Sequence, residues 1–255
     1  MIARVRVGTV GFPVRDKRRV LGAVEIIELT DGRFTPPSRA AAKKARRTWP
    51  AAVQATVQSS SYLVDPPRGG ASLPGDPGGY GGFQTSAENV ALWDRCADYA
   101  AAFEASALVV ITPPAFTPGP SNLARMAAFF AAVDRRGLAV VWEPHGPWEH
   151  RRAAAHAAET GLVLAVDPLR DEAPEGDAAY FRLGPFAAMG GRLGVYDLER
   201  LADAARAFAD VTCVLETPRA IDDVRNLRAV LAGAEPDTEG ADDEDDADDD
   251  SEGDD

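Results

Sequence analysis

The sequence predicts an α/β protein in which eight parallel strands close into a (β/α)8 TIM barrel. Three observations support this fold class. Eight short segments have the pattern of strands, most of them are separated by helix-like segments, and the later strands are almost continuously apolar. Such apolar strands are typical of parallel sheets that are covered on both faces. The eight units fill about 233 residues, which is close to the usual size of this barrel.

The strand-like segments are short apolar or alternating runs that stop at Gly, Pro or a polar residue. The first of them, ARVRVGTV, alternates strictly and then meets Gly11 and Pro13. Two later runs stop directly before Pro113 and Pro168. Strands are therefore predicted over residues 3–10, 23–29, 51–58, 105–112, 138–143, 162–167, 178–183 and 211–216.

The helix-like segments are rich in alanine, and several begin at residues that cap helices well. Ser38 precedes an Ala-rich basic run, and Ser86 precedes a run that has Glu88 in its first turn. A serine in this position accepts a hydrogen bond from a free backbone N–H of the first turn. Helices are therefore predicted over residues 38–47, 86–103, 121–136, 149–160, 197–209 and 219–232.

A doubly wound open sheet is the alternative fold. Such a sheet favours a GxGxxG turn after its first strand. The segment GTVGF offers only Gly8 and Gly11, which is a poor match to that motif. The closed barrel is therefore the preferred prediction.

The acidity of the chain is confined to its C-terminal end. The net charge is −13, yet residues 235–255 contain 14 acidic residues and no Lys or Arg. The remaining 27 basic and 26 acidic residues nearly cancel. The tail has almost no apolar area to bury, so it is predicted to be disordered. We expect a single barrel domain over 1–233 and a disordered acidic tail over 234–255, for which a basic protein is the candidate partner.

Composition also limits the partners and the compartment of the protein. A nearly neutral barrel lacks the overall basic field of nucleic-acid-binding proteins, which argues against a nucleic-acid partner. Cys96 and Cys213 are far apart and form no CxxC pair, as is typical of free thiols in a reducing compartment. No apolar run is long enough to cross a membrane, and the first residues lack the apolar core of a signal peptide. A cytoplasmic protein without membrane contact is predicted.

Functional side chains of this barrel lie at the C-terminal ends of the strands and in the loops that follow. The predicted strand ends carry several carboxylates, one arginine and a nearby histidine. Paired carboxylates can divide the roles of general acid and base, and an arginine can bind an anionic group through two hydrogen bonds. The resulting candidates are Thr9, Glu25, Glu28, Gln58, Thr112, Glu143, His145, Trp148, Asp167, Arg182 and Glu216.

Two further interpretations of these carboxylates stay open. A glutamate at a strand end can form a purely structural ion pair with Arg182. Carboxylates beside His145 can also ligate a divalent metal. No P-loop, HExxH, GxSxG or CxxC motif is present, so the sequence names neither a cofactor nor a metal.

Several ordered blocks resemble the YecE-like family, also called the domain of unknown function 72 (DUF72). The resemblance rests on VGTVGF, AVEIIEL followed by Phe34, ALVVITPPAF, VVWEPHGPW, VDPLR and YFRLG, in the order and spacing of that family. It extends over residues 3–232 and implies a TIM barrel related to xylose-isomerase-like barrels. The resemblance also implies pocket residues, namely Gly8, Thr9, Glu25, Glu143, Trp148 and Arg182.

The chain departs from the motifs of this family at several polar positions. Ile27 replaces an asparagine, and Thr112 replaces a glutamine. The histidine of the family's YxRLHG block is missing, since Pro185 follows Gly184 here. The strand-end carboxylates and Arg182 indicate an enzyme that binds a small anionic or sugar-like ligand at the barrel mouth. Because of these departures, whether the chain is an enzyme stays open. The alternatives are a catalytically degenerate barrel that acts in binding and a metal-dependent barrel that processes nucleic acid. The predicted catalytic residues are Glu25, Glu143 and Arg182, and the predicted ligand-binding residues are Gly8, Thr9, Thr112, His145, Trp148 and Glu216.

Overall fold

Eight parallel strands form a closed barrel in chain order, and β8 pairs with β1. The structure is a computed structural model and describes residues 4–67, 73–185, 187 and 191–237. The predicted fold class is confirmed. The strands are β1 (Arg4–Val10), β2 (Ile26–Leu29), β3 (Gln54–Gln58), β4 (Ala107–Thr112), β5 (Ala139–Pro144), β6 (Val163–Val166), β7 (Ala178–Leu183) and β8 (Asp210–Leu215).

Seven α-helices surround the barrel within the described residues. They are α1 (Lys17–Ala23), α2 (Arg39–Arg46), α3 (Ala87–Phe103), α4 (Pro120–Ala132), α5 (His150–Thr160), α6 (Val195–Arg206) and α7 (Ala220–Leu231). The serine caps occur as expected, since Ser38 accepts from Ala41 N and Ser86 accepts from Asn89 N. The sequence pattern did not predict α1, a seven-residue helix in which the Asp16 side chain accepts from the N–H groups of Arg18 and Arg19.

The strands alternate between two packing layers, because successive side chains of a strand point to opposite faces. One face fills the barrel interior with a small apolar cluster. The other face packs beneath the helices, where Trp142, Phe181 and Leu215 contribute to the larger core. The interior cluster consists of Ile26, Ala107, Val109, Val141, Ala165, Tyr180 and Val214. This alternation decides which strand-end residues reach the barrel mouth, the end formed by the C-terminal ends of the strands.

The long Gly- and Pro-rich segment after β3 is held against the barrel by Asn89 of α3. The side-chain amide of Asn89 is fully buried and lies within hydrogen-bonding distance of the carbonyl oxygens of Leu63, Gly81 and Gln84. Phe83 is also fully buried and packs edge-to-face on Phe116. The described part of this segment is therefore a fixed wall beside the mouth.

The first residues of the predicted acidic tail contact the barrel. The side chain of Asn226 on α7 donates to Asp237 O at 2.9 Å and accepts from Asp237 N at 3.1 Å. Residues 238–255 lie outside the described residues. None of the helices in the described residues is long and apolar enough to cross a membrane.

β1 and β2 approach each other closely at Gly8. A Cβ atom on Gly8 would lie 1.7 Å from the carbonyl oxygen of Ile26, its partner in the register. No side chain fits at this distance without moving one of the two strands. Gly8 is therefore explained by strand packing.

We expect Gly8→Ala to destabilise the fold by at least about 2 kcal/mol, because overpacking of this kind forces backbone shifts. Gly22→Ala is the matched control, since a Cβ there meets nothing within 4 Å. Gly22 is exposed in α1, so its replacement should be neutral or stabilise by up to about 1 kcal/mol. Urea unfolding measures both, and equal midpoints would contradict the packing argument.

Candidate functional site

Arg182 lies at the centre of the barrel mouth and binds three carboxylates from three other segments. Its Nε donates to Glu28 Oε1 at 3.0 Å, and its Nη1 donates to Glu143 Oε1 at 3.1 Å. Its Nη2 donates to Glu216 Oε2 at 3.1 Å. One guanidinium group thus connects the ends of β2, β5, β7 and β8. We call this set the Arg182 hub.

Glu28 is the innermost member of the hub and is fully buried. Its Oε1 also accepts from Gln58 Nε2 at 2.7 Å, and its Oε2 accepts from the hydroxyl of Tyr180 at 2.7 Å. The Tyr180 hydroxyl lies 3.0 Å from Thr56 Oγ1. Both oxygens of the buried carboxylate therefore have partners, as a charged group in an apolar interior requires.

Burial and the hub charges shift the protonation of two interior groups. Burial, followed by the negative charge of Glu28, raises the pKa of Tyr180 well above its ordinary value. Burial opposes the charge on Arg182, yet Glu28, Glu143 and Glu216 outweigh it and raise the pKa of the guanidinium. The hub thus consists of one permanent cation and three carboxylates, which leaves a surplus of negative charge.

Glu143 and His145 form a second pair at the edge of the hub. Glu143 Oε1 lies 3.2 Å from His145 Nε2. The hydrogen bond to Glu143 is the main cause of a raised pKa for His145. Burial works against the charge of Glu143, but the hydrogen bond from His145 and the charge of Arg182 outweigh it and lower the pKa of Glu143. The pair therefore favours the imidazolium and carboxylate forms.

A cavity of about 260 Å³ lies above the hub, and we call it the mouth cavity. Residues at or after the C-terminal ends of six different strands line it. Its polar lining comes mainly from hydroxyl, amide and charged side chains, and Ile111, Pro113 and Pro114 form an apolar wall. The polar lining includes Thr30, Arg33, Gln58, Ser59, Ser61 and His145.

A second cavity of about 700 Å³ lies on the other side of His145, Arg182 and Glu216, which line both spaces. Trp148 contributes to its wall and stacks on Phe116 with ring centroids 6.4 Å apart. The indole Nε1 of Trp148 donates to Phe116 O at 3.0 Å. This donor is therefore engaged with the protein, and the exposed part of the ring provides an apolar surface.

The structure brings together five of the nine predicted site residues. Glu143, His145, Arg182 and Glu216 meet at the hub, and Trp148 lies beside it in the second cavity. Glu28 and Gln58 are also present, as expected for the ends of β2 and β3. Asp167 lines the second cavity, and burial raises its pKa.

Glu25 is a correction to the predicted set, because it lies at the opposite end of the barrel. β2 begins only at Ile26, so Glu25 precedes the strand. Its Oε2 accepts from Val7 N at 3.1 Å, and its Oε1 lies 3.7 Å from Arg228 Nη2 at the end of α7. The second strand was predicted to begin at residue 23, three residues before β2 begins. For this reason Glu25 was wrongly assigned to the part of the strand that leads to the mouth.

Thr9, Thr112 and Gly8 are further corrections. The Thr9 hydroxyl donates to Gly11 O at 2.9 Å, and the Thr112 hydroxyl accepts from Trp142 Nε1 at 3.1 Å. Both threonines are fully buried, and neither lines the described cavities. Thr112 follows the inward-facing Val109 and Ile111, so strand alternation places it against the helices.

Sequence-based reasoning missed Arg33, Ser59 and Ser61, which belong to the loops after β2 and β3. It also did not select Tyr180, whose hydroxyl binds Glu28. Tyr180 lies two residues before Arg182 on β7, so the two side chains point to the same face of the strand. This spacing could have identified Tyr180 from the sequence. No local pattern marked Arg33 or the two serines.

The carboxylates of the mouth do not form a metal site in the described residues. No group of three or more His, Cys, Asp or Glu side chains there is arranged to hold a metal ion. Arg182 lies between Glu28, Glu143 and Glu216 and provides the positive charge around which they gather.

Replacing Arg182 should destabilise the whole fold. Arg182→Met leaves the fully buried Glu28 without its cation. Removing one partner of a buried ion pair lowers the free energy of unfolding by about 3 to 5 kcal/mol. Arg206→Met is the control, because Arg206 pairs with Asp203 on the surface, where an ion pair contributes less than about 1 kcal/mol. Chemical unfolding should separate the two variants clearly. Similar small losses would show that the hub is not needed for stability.

The pairing of His145 with Glu143 should be visible in the titration of the imidazole. In the unmodified protein the pKa of His145 should lie above its ordinary value of 6.5. Glu143→Gln removes the main cause, so the pKa should fall, whereas Glu216→Gln should lower it less. NMR titration of the His145 ring protons measures these values. An unchanged pKa in Glu143→Gln would mean that the two side chains do not interact in solution.

Comparison with known proteins relates this barrel to several solved structures. No protein-family model matches the chain, and no curated protein matches it. A DUF72 family protein from Enterococcus faecalis V583 has a TM-score of 0.66 and 12% identity, covering 90% of this chain and 98% of that chain. A DUF72 family protein from Thermotoga maritima MSB8 has a TM-score of 0.62 and 17% identity, covering 90% of this chain and 99% of that chain.

A structure of L-ribulose 3-epimerase is also similar, with a TM-score of 0.60 and 14% identity, covering 89% of this chain and 93% of that chain. At these identities the similarity shows a common fold. The DUF72 family that the sequence motifs resemble is represented among these structures. The chain therefore has the barrel fold of solved DUF72 family proteins.

Proposed function

We propose that the protein binds a small sugar-like compound in the mouth cavity. The main support for this proposal is that the cavity lining combines polar side chains with an apolar wall. Thr30, Gln58, Ser59 and Ser61 supply hydroxyl and amide groups opposite the apolar wall. A ligand rich in hydroxyl groups fits this mixture, because small-molecule sites combine apolar walls with a few polar groups that fix orientation.

The charges at the centre of the mouth favour a neutral ligand there over an anionic one. Three carboxylates surround the single guanidinium group of Arg182, and all three of its nitrogen atoms donate to them. An anion at Arg182 would compete with these carboxylates for the guanidinium group and would be repelled by their negative charge. Hydroxyl groups of a neutral compound can instead accept from His145 and donate to the exposed part of Glu216.

Glu143 and His145 are the groups we assign to proton transfer on such a ligand. His145 is about half exposed and lines the mouth cavity, so its imidazole can reach a bound molecule. Glu143 orients the ring and favours its charged form, while Arg182 holds the Glu143 carboxylate in place. The L-ribulose 3-epimerase neighbour supports a sugar-like substrate class by analogy of fold.

We further propose that the chain is a divergent DUF72 family member, cytoplasmic, with a barrel domain over residues 1–233 and an acidic tail over residues 234–255. The ordered motifs and the structural neighbours support the family. The contact of Asp237 with Asn226 suggests that a few residues beyond 233 belong to the folded unit. The nearly neutral barrel and the two buried free thiols support the compartment.

A binding protein without catalysis is the second candidate function. Its support is the full engagement of Glu28 and Arg182 within the protein, which keeps both from acting on a ligand as free groups. No observation on the described residues favours metal-dependent processing of nucleic acid.

The proposal predicts that a sugar binds and that filling the mouth cavity abolishes binding. D-Xylose, D-ribose and L-ribulose are the probes, and calorimetry is the measurement. Ser61→Tyr places a ring in the cavity and should reduce affinity by about tenfold or more. Ser121→Tyr on the exposed start of α4 is the matched control and should bind like the unmodified protein.

NMR spectra of the same sugar, recorded over time with the protein, separate turnover from binding alone. Conversion that Glu143→Gln abolishes would support the catalytic assignment, and binding without conversion would support the second candidate. Failure of every probe to bind the unmodified protein, or equal binding by Ser61→Tyr, would overturn the proposed site.

A further inference from the structure

Arg33 lies at the rim of the mouth cavity on a loop that is braced from both sides. Its backbone N–H donates to Thr30 O at 3.0 Å, and its carbonyl oxygen accepts from Ser61 N at 2.6 Å. The next residue is also fixed, since Phe34 O accepts from Ser60 Oγ at 2.6 Å. The loop after β2 and the turn after β3 are therefore joined by hydrogen bonds, and the backbone that carries Arg33 is held in place.

The guanidinium group of Arg33 differs from that of Arg182 in its surroundings. It lies over the ring of Phe34, 5.8 Å from the ring centroid, and makes no ion pair in the described ranges 4–67, 73–185, 187 and 191–237. Asp65 lines the same cavity but has an interaction of its own. Arg33 is thus a cation of the mouth cavity whose hydrogen-bond donors are available to a ligand.

Two serine hydroxyl groups share the cavity wall with Arg33. The backbone N–H groups of Ser59 and Ser61 donate to Val109 O and Arg33 O. Their hydroxyl groups make no hydrogen bond to another residue in the part of the chain that the structure describes, and both side chains line the mouth cavity. A guanidinium group with nearby hydroxyl donors is a chemistry that recognises oxyanions.

We propose that Arg33, Ser59 and Ser61 form an oxyanion subsite at the rim of the mouth cavity. The ligand class is then a sugar-like compound that carries a phosphate or a carboxylate. Its polyol part lies over the negative Arg182 hub, and its anionic group lies at the rim. The sugar half of this inference rests on the proposed function, whereas the anionic half rests on Arg33 and the two serine hydroxyl groups and is independent of it.

The first test uses inorganic phosphate and acetate as probes, with calorimetry at low ionic strength. Phosphate or acetate should bind the unmodified protein, and Arg33→Met should weaken binding by about tenfold or more, because charge-assisted hydrogen bonds are lost. Arg47→Met is the matched control, since Arg47 is exposed at the far end of α2 and lines neither cavity. The anion that binds more tightly identifies the chemical group.

The second test compares D-ribose with D-ribose 5-phosphate. The phosphate should raise affinity in the unmodified protein and in Arg47→Met, and this gain should vanish in Arg33→Met while binding of D-ribose is retained. Equal anion binding by Arg33→Met and the unmodified protein, or no anion binding at all, would overturn the subsite. Anion binding that depends on Arg33, with no affinity for any sugar, would leave the subsite standing and remove the proposed function.

Discussion

Arg182 joins four strand ends through one guanidinium group, and the polar interior of the barrel is organised around it. Its partner Glu28 lies on β2, across the barrel from β7, and is fully buried. Burying a carboxylate is costly unless a cation and hydrogen-bond donors compensate it. Gln58 and Tyr180 supply the remaining donors, so three strands must be in register for the charge to be satisfied.

This constraint has a consequence for the chemistry of the mouth. Because each guanidinium nitrogen of Arg182 already contacts one of the carboxylates of Glu28, Glu143 and Glu216, its positive charge is compensated within the protein. What remains accessible is the outer edge of the hub, where Glu216 and His145 are roughly half exposed. The centre of the mouth therefore suits polar but uncharged ligand groups better than anionic ones.

The fold and much of the hub could be predicted from the sequence, because both follow from short-range patterns. Strand ends at Glu143, Arg182 and Glu216 were marked by apolar runs, and parallel strands bring such ends together. Glu25 was misplaced because the apolar run began before the strand itself. Thr112 was wrongly placed at the mouth because the alternation of inward- and outward-facing side chains along β4 was not applied to its last residue. Arg33 lies in a loop whose position depends on hydrogen bonds to Ser60 and Ser61, which belong to another segment. Contacts between loops leave no periodic signal.

The two arginines that line the mouth cavity illustrate how burial decides the role of an arginine. Arg182 is about 5% exposed, and a buried guanidinium must find its counter-charges within the protein. Arg33 is exposed, and the hydrogen bonds that hold it in the described residues involve its backbone. The first arginine therefore acts as a structural centre and the second stays free to exchange water for a ligand. A ligand that spans both regions would meet hydroxyl-binding groups at one end and a cation at the other, so the distribution of charge along the cavity sets its orientation.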